Sequence, residues 1–349
     1  MTLTAKPSFT SDYMEGAHPA ILEKLRETNM VRTQGYGLDP FSDSARDKIR
    51  LACNCPQADI HFLIGGTQAN ATVIDALLDS YQGVLSSDQG HINVHESGAI
   101  EFGGHKVLAL PNDNGKINPA VLRQWLVDFD NDANHDHMVF PGMVYISHPT
   151  EFGTLYSLAE LEEISSICKG YGLPLFLDGA RLAYGLSCKE NDVSLPDIAR
   201  LCDVFYIGGT KCGALFGEAV VIPNPDLIPH FFTIVRQHGA LLAKGRITGI
   251  QFDTLFTDNL YFKFGQAAIH ASDRIRAWLS EKGYQFLIES PTNQIMVIFD
   301  NDKLDRLAEK VEYGFWSKYD EDHTAIRFAT SWATTDEDVD ALLEALEAI

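Results

Sequence analysis

Residues 59–80 read DIHFLIGGTQANATVIDALLDS and contain the signature that decides the fold. The apolar run 59–64 is typical of a buried strand, whereas residues 67–80 have the apolar spacing of a helix. Only Gly65 and Gly66 separate the two. A strand that turns so tightly into a helix is the building unit of α/β proteins with a largely parallel sheet.

The same alternation of strands and helices continues to about residue 246. Short apolar runs predict the seven strands of a mainly parallel sheet, at residues 59–64, 83–86, 106–110, 143–146, 173–177, 204–207 and 219–222. Helical spacing recurs at residues 118–127 and 158–170. The second of these helices follows Ser157, with Glu160 three residues further on, which is a capping-box arrangement. We therefore predict an α/β fold for this part of the chain.

Beyond residue 246 the pattern changes. Residues 250–282 could form one long or interrupted helix, followed by a strand at 294–299, a helix at 303–313, a strand at 325–329 and a helix at 335–348. This order predicts a small α+β domain that is attached through a long connecting helix. We place an N-terminal arm at residues 1–20, a large domain at 21–260 and a small C-terminal domain at 261–349.

Charge and composition exclude several classes of partner. The 349 residues carry 27 Lys and Arg against 48 Asp and Glu, a formal charge of -21, which repels nucleic acid and anionic membranes. No apolar run approaches the roughly 20 residues that cross a bilayer, and the start of the chain lacks the pattern of a signal peptide. Six scattered cysteines without a CxxC pair indicate reduced thiols. We expect a cytoplasmic protein without a membrane or nucleic-acid partner.

An acidic stretch at residues 128–137 ends in His135-Asp136-His137. Two histidines beside a carboxylate could bind a metal ion, but a solvated acidic loop accounts for the same pattern. We expect the solvated loop and no metal site.

The turn Gly65-Gly66-Thr67 is the first of three motifs that carry chemistry. Glycines let backbone N–H groups approach an anion closely, the start of a helix adds a positive dipole end, and Thr67 adds a hydroxyl donor. An ordinary tight turn with a capping threonine is the alternative. The motif is a candidate phosphate site.

The second motif follows the predicted strand at 173–177. This buried run ends directly in Asp178, and Arg181 stands three residues further on. In open α/β sheets the carboxyl ends of the strands are where ligands bind. A structural ion pair between the two side chains is the alternative. Asp178 is thus a candidate partner for a cationic group of a ligand.

The third motif is a lysine among small residues. The predicted strand 204–207 ends in Gly208-Gly209, which Thr210 and Lys211 follow. A lysine without water around it has a lowered pKa and becomes an amine nucleophile for carbonyl chemistry. The alternative is a solvated loop lysine.

Together the three motifs require one ligand with a phosphate, a group that pairs with a carboxylate, and an aldehyde. Pyridoxal 5'-phosphate (PLP) has all three. The carboxylate would keep its pyridine nitrogen protonated, which makes the ring an acceptor of electrons. The sequence therefore predicts a PLP enzyme with Lys211 as the residue that bonds the aldehyde.

The chain resembles the threonine aldolase group of the β-eliminating lyases, which have the aspartate aminotransferase-like PLP fold (fold type I). The resemblance runs from Ser11-Asp12 to Arg327. It is strongest at GTQAN (66–70), DGARL (178–182) and Thr210-Lys211, and it includes YGLDP (36–40), His91 and HESGA (95–99).

The resemblance implies a role for each matching residue. Lys211 would hold the cofactor as a Schiff base, and Asp178 would pair with the pyridine nitrogen. Gly66 and Thr67 would bind the phosphate, and His91 would stack on the ring, so that Lys211, His91 and Asp178 form the catalytic group. The substrate carboxylate would be bound by Arg181, which also belongs to the cofactor site, and by Arg327 and Ser11. Arg246 would reach the phosphate bound by a neighbouring subunit.

One loop departs from the family pattern. Residues 147–153 read SHPTEFG, where many threonine aldolases have Glu-Asn-Thr-His before a glycine. By position Thr150 occupies the place of the family's active-site histidine, and His148 lies two residues away. The base that acts on the substrate hydroxyl is therefore not identified by the sequence.

The resemblance implies an aldolase that cleaves L-threonine, L-allo-threonine or related β-hydroxy-α-amino acids to glycine and an aldehyde. A PLP-dependent β-eliminating lyase, racemase or aminotransferase acting on another amino acid is the alternative, and a non-catalytic binding module on the same fold is a more remote one. The resemblance also implies a homo-oligomer, either a dimer or a tetramer, with active sites shared between subunits.

Overall fold

A computed structural model of the protein describes residues 6–349. In chain order the strands are β1 (Ser8–Phe9), β2 (Asp59–Leu63), β3 (Gln82–Ser87), β4 (Lys106–Leu110), β5 (Asn112–Asp113), β6 (Lys116–Ile117), β7 (Phe140–Ser147), β8 (Leu175–Asp178), β9 (Val204–Gly208), β10 (Glu218–Ile222), β11 (Phe286–Ile288), β12 (Gln294–Asp300), β13 (Glu312–Lys318) and β14 (His323–Ala329). The helices are α1 (Pro19–Thr28), α2 (Pro40–Ala52), α3 (Gly66–Leu77), α4 (His91–Val94), α5 (Ala99–Phe102), α6 (Pro119–Asn131), α7 (Leu158–Tyr171), α8 (Leu182–Leu186), α9 (Leu195–Leu201), α10 (Phe231–Gln237), α11 (Arg246–Leu255), α12 (Leu260–Glu281), α13 (Asn301–Lys310) and α14 (Asp336–Glu347).

The central sheet has seven strands in the order β2-β10-β9-β8-β7-β3-β4. Strand β10 is antiparallel to both of its neighbours, and the other pairs are parallel. The predicted mainly parallel sheet of seven strands is therefore confirmed. The carboxyl ends of β2, β7, β8 and β9 lie at one edge of this sheet, together with the start of the antiparallel β10.

The sheet is buried on both faces because helices cover each side. Successive residues of a strand point to opposite faces, so Phe176 packs with α3 and α10, whereas Leu177 packs with the residues of α7 and α9. Strands buried on both faces are continuously apolar instead of alternating. This is why β8 and β9 were recognisable as unbroken apolar runs.

The second sheet has five strands in the order β1-β13-β14-β12-β11. The predicted helix 303–313 is wrong at its end, because α13 stops at Lys310 and β13 begins at Glu312. Residues 312–318 are rich in aromatic side chains, which favour strands, and their backbone pairs with β14. This pairing with a later strand overrides the local helical spacing.

The connection between the two sheets is the interrupted helix that the sequence allows. Helices α11 and α12 are separated by a turn in which Asp258 and Asn259 have positive φ angles. Along α12, Ala268 packs in the core of the large sheet and Ile275 packs in the core of the second sheet. One helix thus contributes to both cores, and the predicted domain division near residue 260 stays a prediction.

Residues 8–13 run from the second sheet to the central sheet. Strand β1 pairs in parallel with β13 at the edge of the second sheet. Asp12, only three residues after β1, is completely buried against Arg181, which follows β8. Residues 1–5 of the predicted arm lie outside the described residues.

Other predictions concern the surface and the thiols. All six cysteines are free and buried, as expected for packing groups. Residues His135–His137 form a short 3-10 helix, and within residues 6–349 no group of three or more His, Cys, Asp or Glu side chains is arranged to hold a metal ion. None of the helices in the described part of the chain is long and apolar enough to span a bilayer.

Candidate active site

A cavity of about 300 Å³ opens at the edge of the central sheet where β2, β7, β8 and β9 end. Six of the nine predicted site residues line it, namely Gly66, Thr67, His91, Asp178, Arg181 and Lys211. The other lining residues are Tyr13, Ile64, Gly65, Ser147, Pro149, Glu151, Ala180, Tyr206, Thr210 and Glu218. Wider hollows of about 440 and 550 Å³ elsewhere contain none of the predicted residues. The cavity is therefore the candidate active site.

The start of α3 forms one end of the cavity. Gly65 precedes this helix and provides no side-chain cap, so the first N–H groups of α3 have no capping acceptor. A Cβ atom on Gly66 would lie 3.0 Å from the hydroxyl of Tyr206, a tight contact that glycine avoids. Thr67 is exposed beside these N–H groups. The helix start could therefore accept an anion, as the sequence predicts.

Asp178, at the end of β8, is buried and accepts four hydrogen bonds. Its Oδ2 accepts from Tyr145 at 2.6 Å and from Asn70 at 3.1 Å, and its Oδ1 accepts from the hydroxyl of Tyr206 and from the N–H of Ala180. Burial alone would raise the pKa of Asp178, but the charge of His91 and the tyrosine hydrogen bonds together lower it below its usual range. Asp178 is therefore held as a fixed anion.

His91, the first residue of α4, faces the same cavity. Its Nδ1 lies 2.7 Å from Oε1 of Glu96, and the same oxygen accepts a hydrogen bond from Asn70 at 2.8 Å. Asn70 also donates to Asp178, so it joins the two carboxylates. Asn70 and Glu96 were quoted within the motifs 66–70 and 95–99, but the sequence alone assigned them no role.

Lys211 lies in the turn after β9, and the pKa of its amine is lowered below its usual value. Burial is the main cause and the charge of Arg181 adds to it, while nearby carboxylates oppose the shift. Glu218, at the start of β10, fixes this turn by accepting hydrogen bonds from Thr210 at 2.7 Å and from the N–H of Gly209 at 3.1 Å. Burial raises the pKa of Glu218. Sequence reasoning missed Glu218, because a single acid at the start of a strand carries no local signal.

Arg181 is bound by an acidic partner. Its Nε and Nη2 donate to the two oxygens of Asp12 at 2.6 and 3.0 Å, and Asn293 donates to the same carboxylate at 2.9 Å. Burial alone would raise the pKa of Asp12, but the charges of Arg181 and Lys211 and these hydrogen bonds lower it to about 2. The structural ion pair of Arg181 is therefore with Asp12 and not with Asp178, although Arg181 still lines the cavity.

Replacing Asp12 by asparagine is expected to destabilise the fold by about 3–5 kcal/mol, because it leaves the largely buried Arg181 side chain without its counter-charge. Since the pKa of Asp12 is lower in the folded than in the unfolded chain, the stabilisation is complete above about pH 4 and is lost as the pH falls towards 2. Denaturant unfolding at pH 7 and at lower pH measures the difference, with exposed Asp136→Asn as the control. Equal stability of the two variants at pH 7 would contradict the assignment.

Arg327, on β14, has no acidic partner within residues 6–349. Its Nη1 donates to Gln294 at 3.0 Å and its Nη2 to the carbonyl oxygen of Thr10 at 2.7 Å, while its Nε is buried without an acceptor. Ser11 is half-buried between Thr10 and Asp12. Neither Arg327 nor Ser11 lines the cavity directly, but the arm that carries Ser11 also provides Tyr13 to its wall.

Arg246 lies apart from the cavity of its own chain. It begins α11, and its guanidinium donates to the backbone carbonyl oxygens of Asn29, at 3.0 Å, and of Val31. Whether it meets the site of another subunit stays a prediction.

In the loop after β7, the residue at the position of the family's active-site histidine does not face the cavity. Thr150 is buried and its hydroxyl lies 2.6 Å from that of Thr154, so it does not face the cavity. His148 is also buried, accepts a hydrogen bond from the N–H of Tyr156, and has its pKa lowered to about 4 by burial. The residue of this loop whose carboxylate does line the cavity is Glu151.

The cavity fits PLP on four separate features. The uncapped start of α3 suits a phosphate, and the anionic Asp178 suits a protonated ring nitrogen. The amine of Lys211 is poised for an aldehyde, and the ring of His91 supplies a flat surface. The volume and the chemistry of these groups agree with one cofactor bound at the edge of the sheet.

This fold and this site define a PLP-dependent enzyme of fold type I. Its cavity is lined by an aspartate at the end of β8, a lysine after the neighbouring strand β9 and the start of α3. The model of the β-eliminating lyase family matches residues 8–302. The chain therefore belongs to the β-eliminating lyase family, and it is a PLP-dependent lyase.

Three relatives illustrate the similarity. The low specificity L-threonine aldolase of Pseudomonas aeruginosa is 32% identical over 265 residues, which are 74% of each chain. The solved structure of a Leishmania major threonine aldolase is 41% identical, with a TM-score of 0.94 over 98% of both chains. An aspartate aminotransferase variant of Thermus thermophilus has a TM-score of 0.73 at 14% identity over 98% of this chain and 91% of that one, a likeness of fold alone.

Proposed function

We propose that this protein cleaves L-threonine, L-allo-threonine or related β-hydroxy-α-amino acids to glycine and an aldehyde. The observation that carries the proposal is that Lys211 and Asp178 line one cavity with the uncapped start of α3. The relatives from Pseudomonas aeruginosa and Leishmania major, which are described as threonine aldolases, support this choice of reaction.

Five residues would hold the cofactor. The amine of Lys211 would bond its aldehyde carbon, Asp178 would pair with its ring nitrogen, His91 would lie against its ring, and Gly66 and Thr67 would bind its phosphate. When bound, PLP supplies an electron sink that stabilises negative charge at the substrate Cα. The hydrogen bonds from Tyr145, Tyr206 and Asn70 keep the Asp178 carboxylate in one orientation for this task.

The substrate carboxylate would be bound by Arg327, with Arg181 and Ser11 beside it. Arg327 has a buried Nε without an acceptor and no acidic partner in the described chain, so a carboxylate would satisfy it. Arg181 is already paired with Asp12. It would therefore contribute positive charge and part of the pocket wall, whereas its hydrogen-bonding groups are largely occupied. A fixed carboxylate sets the orientation of the Cα–Cβ bond. Correct orientation of the reacting bond contributes a large part of the rate enhancement of enzymes.

Product analysis tests the proposed reaction. The purified protein with added PLP is expected to convert L-threonine to glycine and acetaldehyde in equal amounts, which amino-acid chromatography and a coupled aldehyde assay measure. L-allo-threonine and L-serine serve as comparisons for the β-substituent. Ammonia and a keto acid in place of glycine and aldehyde would instead favour β-elimination or transamination.

The protein is also proposed to act as a cytoplasmic homo-oligomer, a dimer or a tetramer. The backbone to which Arg246 binds belongs to a segment, residues 29–38, that exposes Met30, Val31 and Leu38. Large apolar patches on a protein surface mark interaction sites, and these three side chains would supply part of one. A neighbouring subunit that covers this segment would also bring Arg246 towards its phosphate site. Light scattering of the purified protein measures the number of subunits.

A further inference from the structure

Glu151 is a buried carboxylate that the roles assigned so far do not use. It lies in the loop after β7 and lines the cavity beside Asp178, with only 8% of its surface exposed. A carboxylate is costly to bury, so its position in the cavity wall, near His91, Asp178 and Arg181, needs a reason. Its two oxygens have different surroundings.

One carboxylate oxygen of Glu151 is hydrogen-bonded to neighbouring residues, and the other is not. Oε1 accepts hydrogen bonds from the hydroxyl of Ser147 at 2.7 Å and from the N–H of His91 at 3.0 Å. Oε2 accepts no hydrogen bond from any other residue of the range 6–349. The side chain is thus held in place through Oε1 while Oε2 keeps its full capacity to accept a proton.

The charges around Glu151 favour proton transfer. Burial raises the pKa of its carboxyl, and the negative charge of Asp178 raises it further, against the hydrogen bond from Ser147 and the charge of His91. The titratable and charged groups that face it are Tyr145 on β7, His91 on α4, Asp178 on β8, Arg181 in the turn after β8 and Tyr156 before α7. A general base works best when its pKa is close to the working pH.

The other candidate bases near this loop have other contacts or lie outside the cavity wall. The hydroxyl of Thr150 is bonded to Thr154 away from the cavity, and His148 is buried behind it. The Nδ1 atom of His91 is bonded to Glu96, and the ring of His91 is assigned to the face of the cofactor. Within this loop, Glu151 is the residue that combines a free proton-accepting atom with a place in the cavity wall.

We propose that Oε2 of Glu151 removes the proton of the substrate's β-hydroxyl group, an inference that rests on the proposed aldolase function. The O–H bond breaks and its proton moves to Oε2, while the oxygen electron pair forms the carbonyl bond of the aldehyde. The Cα–Cβ bond breaks at the same time and leaves its electron pair at Cα. Cα then gains one proton to give glycine, so that the hydroxyl proton lost and the Cα proton gained balance.

The test uses Glu151→Gln in the full-length protein loaded with PLP. Glutamine keeps an oxygen that accepts from His91 and Ser147, but it replaces Oε2 by an amide that cannot take a proton. Cleavage of L-threonine is expected to slow by about 10²–10⁴-fold, the usual contribution of a general base. Exchange of the glycine α-proton with D₂O, followed by NMR, breaks no hydroxyl bond and should stay within about threefold of wild type.

Two further variants and two further measurements serve as controls for charge, folding and cofactor loading. Glu151→Asp keeps a carboxylate and is expected to retain more cleavage than Glu151→Gln, whereas Glu321→Gln, at an exposed position, controls for the loss of charge. The visible absorption of bound PLP and the melting temperature show whether the variants fold and load. The kcat of the wild type is expected to fall at low pH, where Glu151 is protonated, and this fall should be absent in Glu151→Gln.

The outcomes are distinct. If the wild type and Glu151→Gln cleave threonine equally well, the role of Glu151 is overturned, while the aldolase function remains supported. A parallel loss of cleavage and glycine exchange also overturns it, because Glu151 would then support the cofactor and not the hydroxyl. If Glu151→Gln does not fold, Glu151→Asp takes its place, and a parallel loss of cleavage and glycine exchange in a folded, PLP-loaded Glu151→Asp protein overturns the role as well. Failure of the wild type itself to cleave refutes the function on which the inference rests.

Discussion

The Lys211→Ala protein will release no measurable aldehyde from L-threonine and will show no visible absorption from covalently held PLP. Alanine removes the amine that would bond the cofactor, and it also removes a base beside the reacting carbon. Loss of a general acid–base group alone slows enzymes by about 10²–10⁴-fold, and loss of the covalent link adds to this. Absorption spectra after dialysis and the aldehyde assay measure both effects.

Lys189→Ala is the matched control for this experiment. The Lys189 side chain is 87% exposed and lies 3.9 Å from Asp273, so its removal changes the net charge by the same amount without touching the cavity. It should load PLP and cleave threonine like the wild type. Equal aldehyde release by Lys211→Ala and the wild type would refute the assignment of the lysine.

Asp178→Asn is expected to reduce both threonine cleavage and glycine α-proton exchange by at least about 10²-fold. The carboxylate accepts from Tyr145, Tyr206 and Asn70, and an amide would present N–H groups to some of these donors. Donors left unpaired cost about 1–3 kcal/mol each. The ring nitrogen of PLP would also lose its negative partner, so the electron sink would weaken for every reaction at Cα.

The combined readout separates Asp178 from Glu151. Asp178→Asn should lower cleavage and exchange together, whereas Glu151→Gln should lower cleavage alone. Asp226→Asn, at an exposed position in a loop, serves as the control for the aspartate change. Normal glycine exchange in a folded, PLP-loaded Asp178→Asn protein would contradict the proposed pairing with the ring nitrogen.

The sequence predicted the central sheet and most of the cavity because both depend on short-range patterns. Each strand of a sheet buried on both faces is a continuous apolar run, and the residue that ends such a run lies at the ligand-binding edge. Asp178 and Lys211 could be found in this way from their own neighbours in the chain. The same pattern brought Gly66 and Thr67 to the cavity.

The buried carboxylates could not be predicted in this way, because their partners are distant in the chain. Asp12 meets Arg181, 169 residues away, and Asn293, 281 residues away. Glu151 follows β7 by four residues, and no local pattern distinguished it from the adjacent Thr150 until the loop's path was known. The strand β13 was missed for a related reason, since its pairing with β14 decided its structure against a helical spacing.

The path of residues 8–13 has a consequence for how the enzyme is made in the cell. The carbonyl oxygen of Thr10 accepts a hydrogen bond from Arg327, which is synthesised 317 residues later. At a synthesis rate of about 5–20 residues per second, this interval lasts roughly 15–60 s. During that time β1 and the carbonyl oxygen of Thr10 have no partners, and Asp12 lacks its hydrogen bond from Asn293 until that residue is made. Since residues 8–13 also provide Tyr13 to the cavity wall, we expect this part of the cavity to form only after the second sheet has been translated.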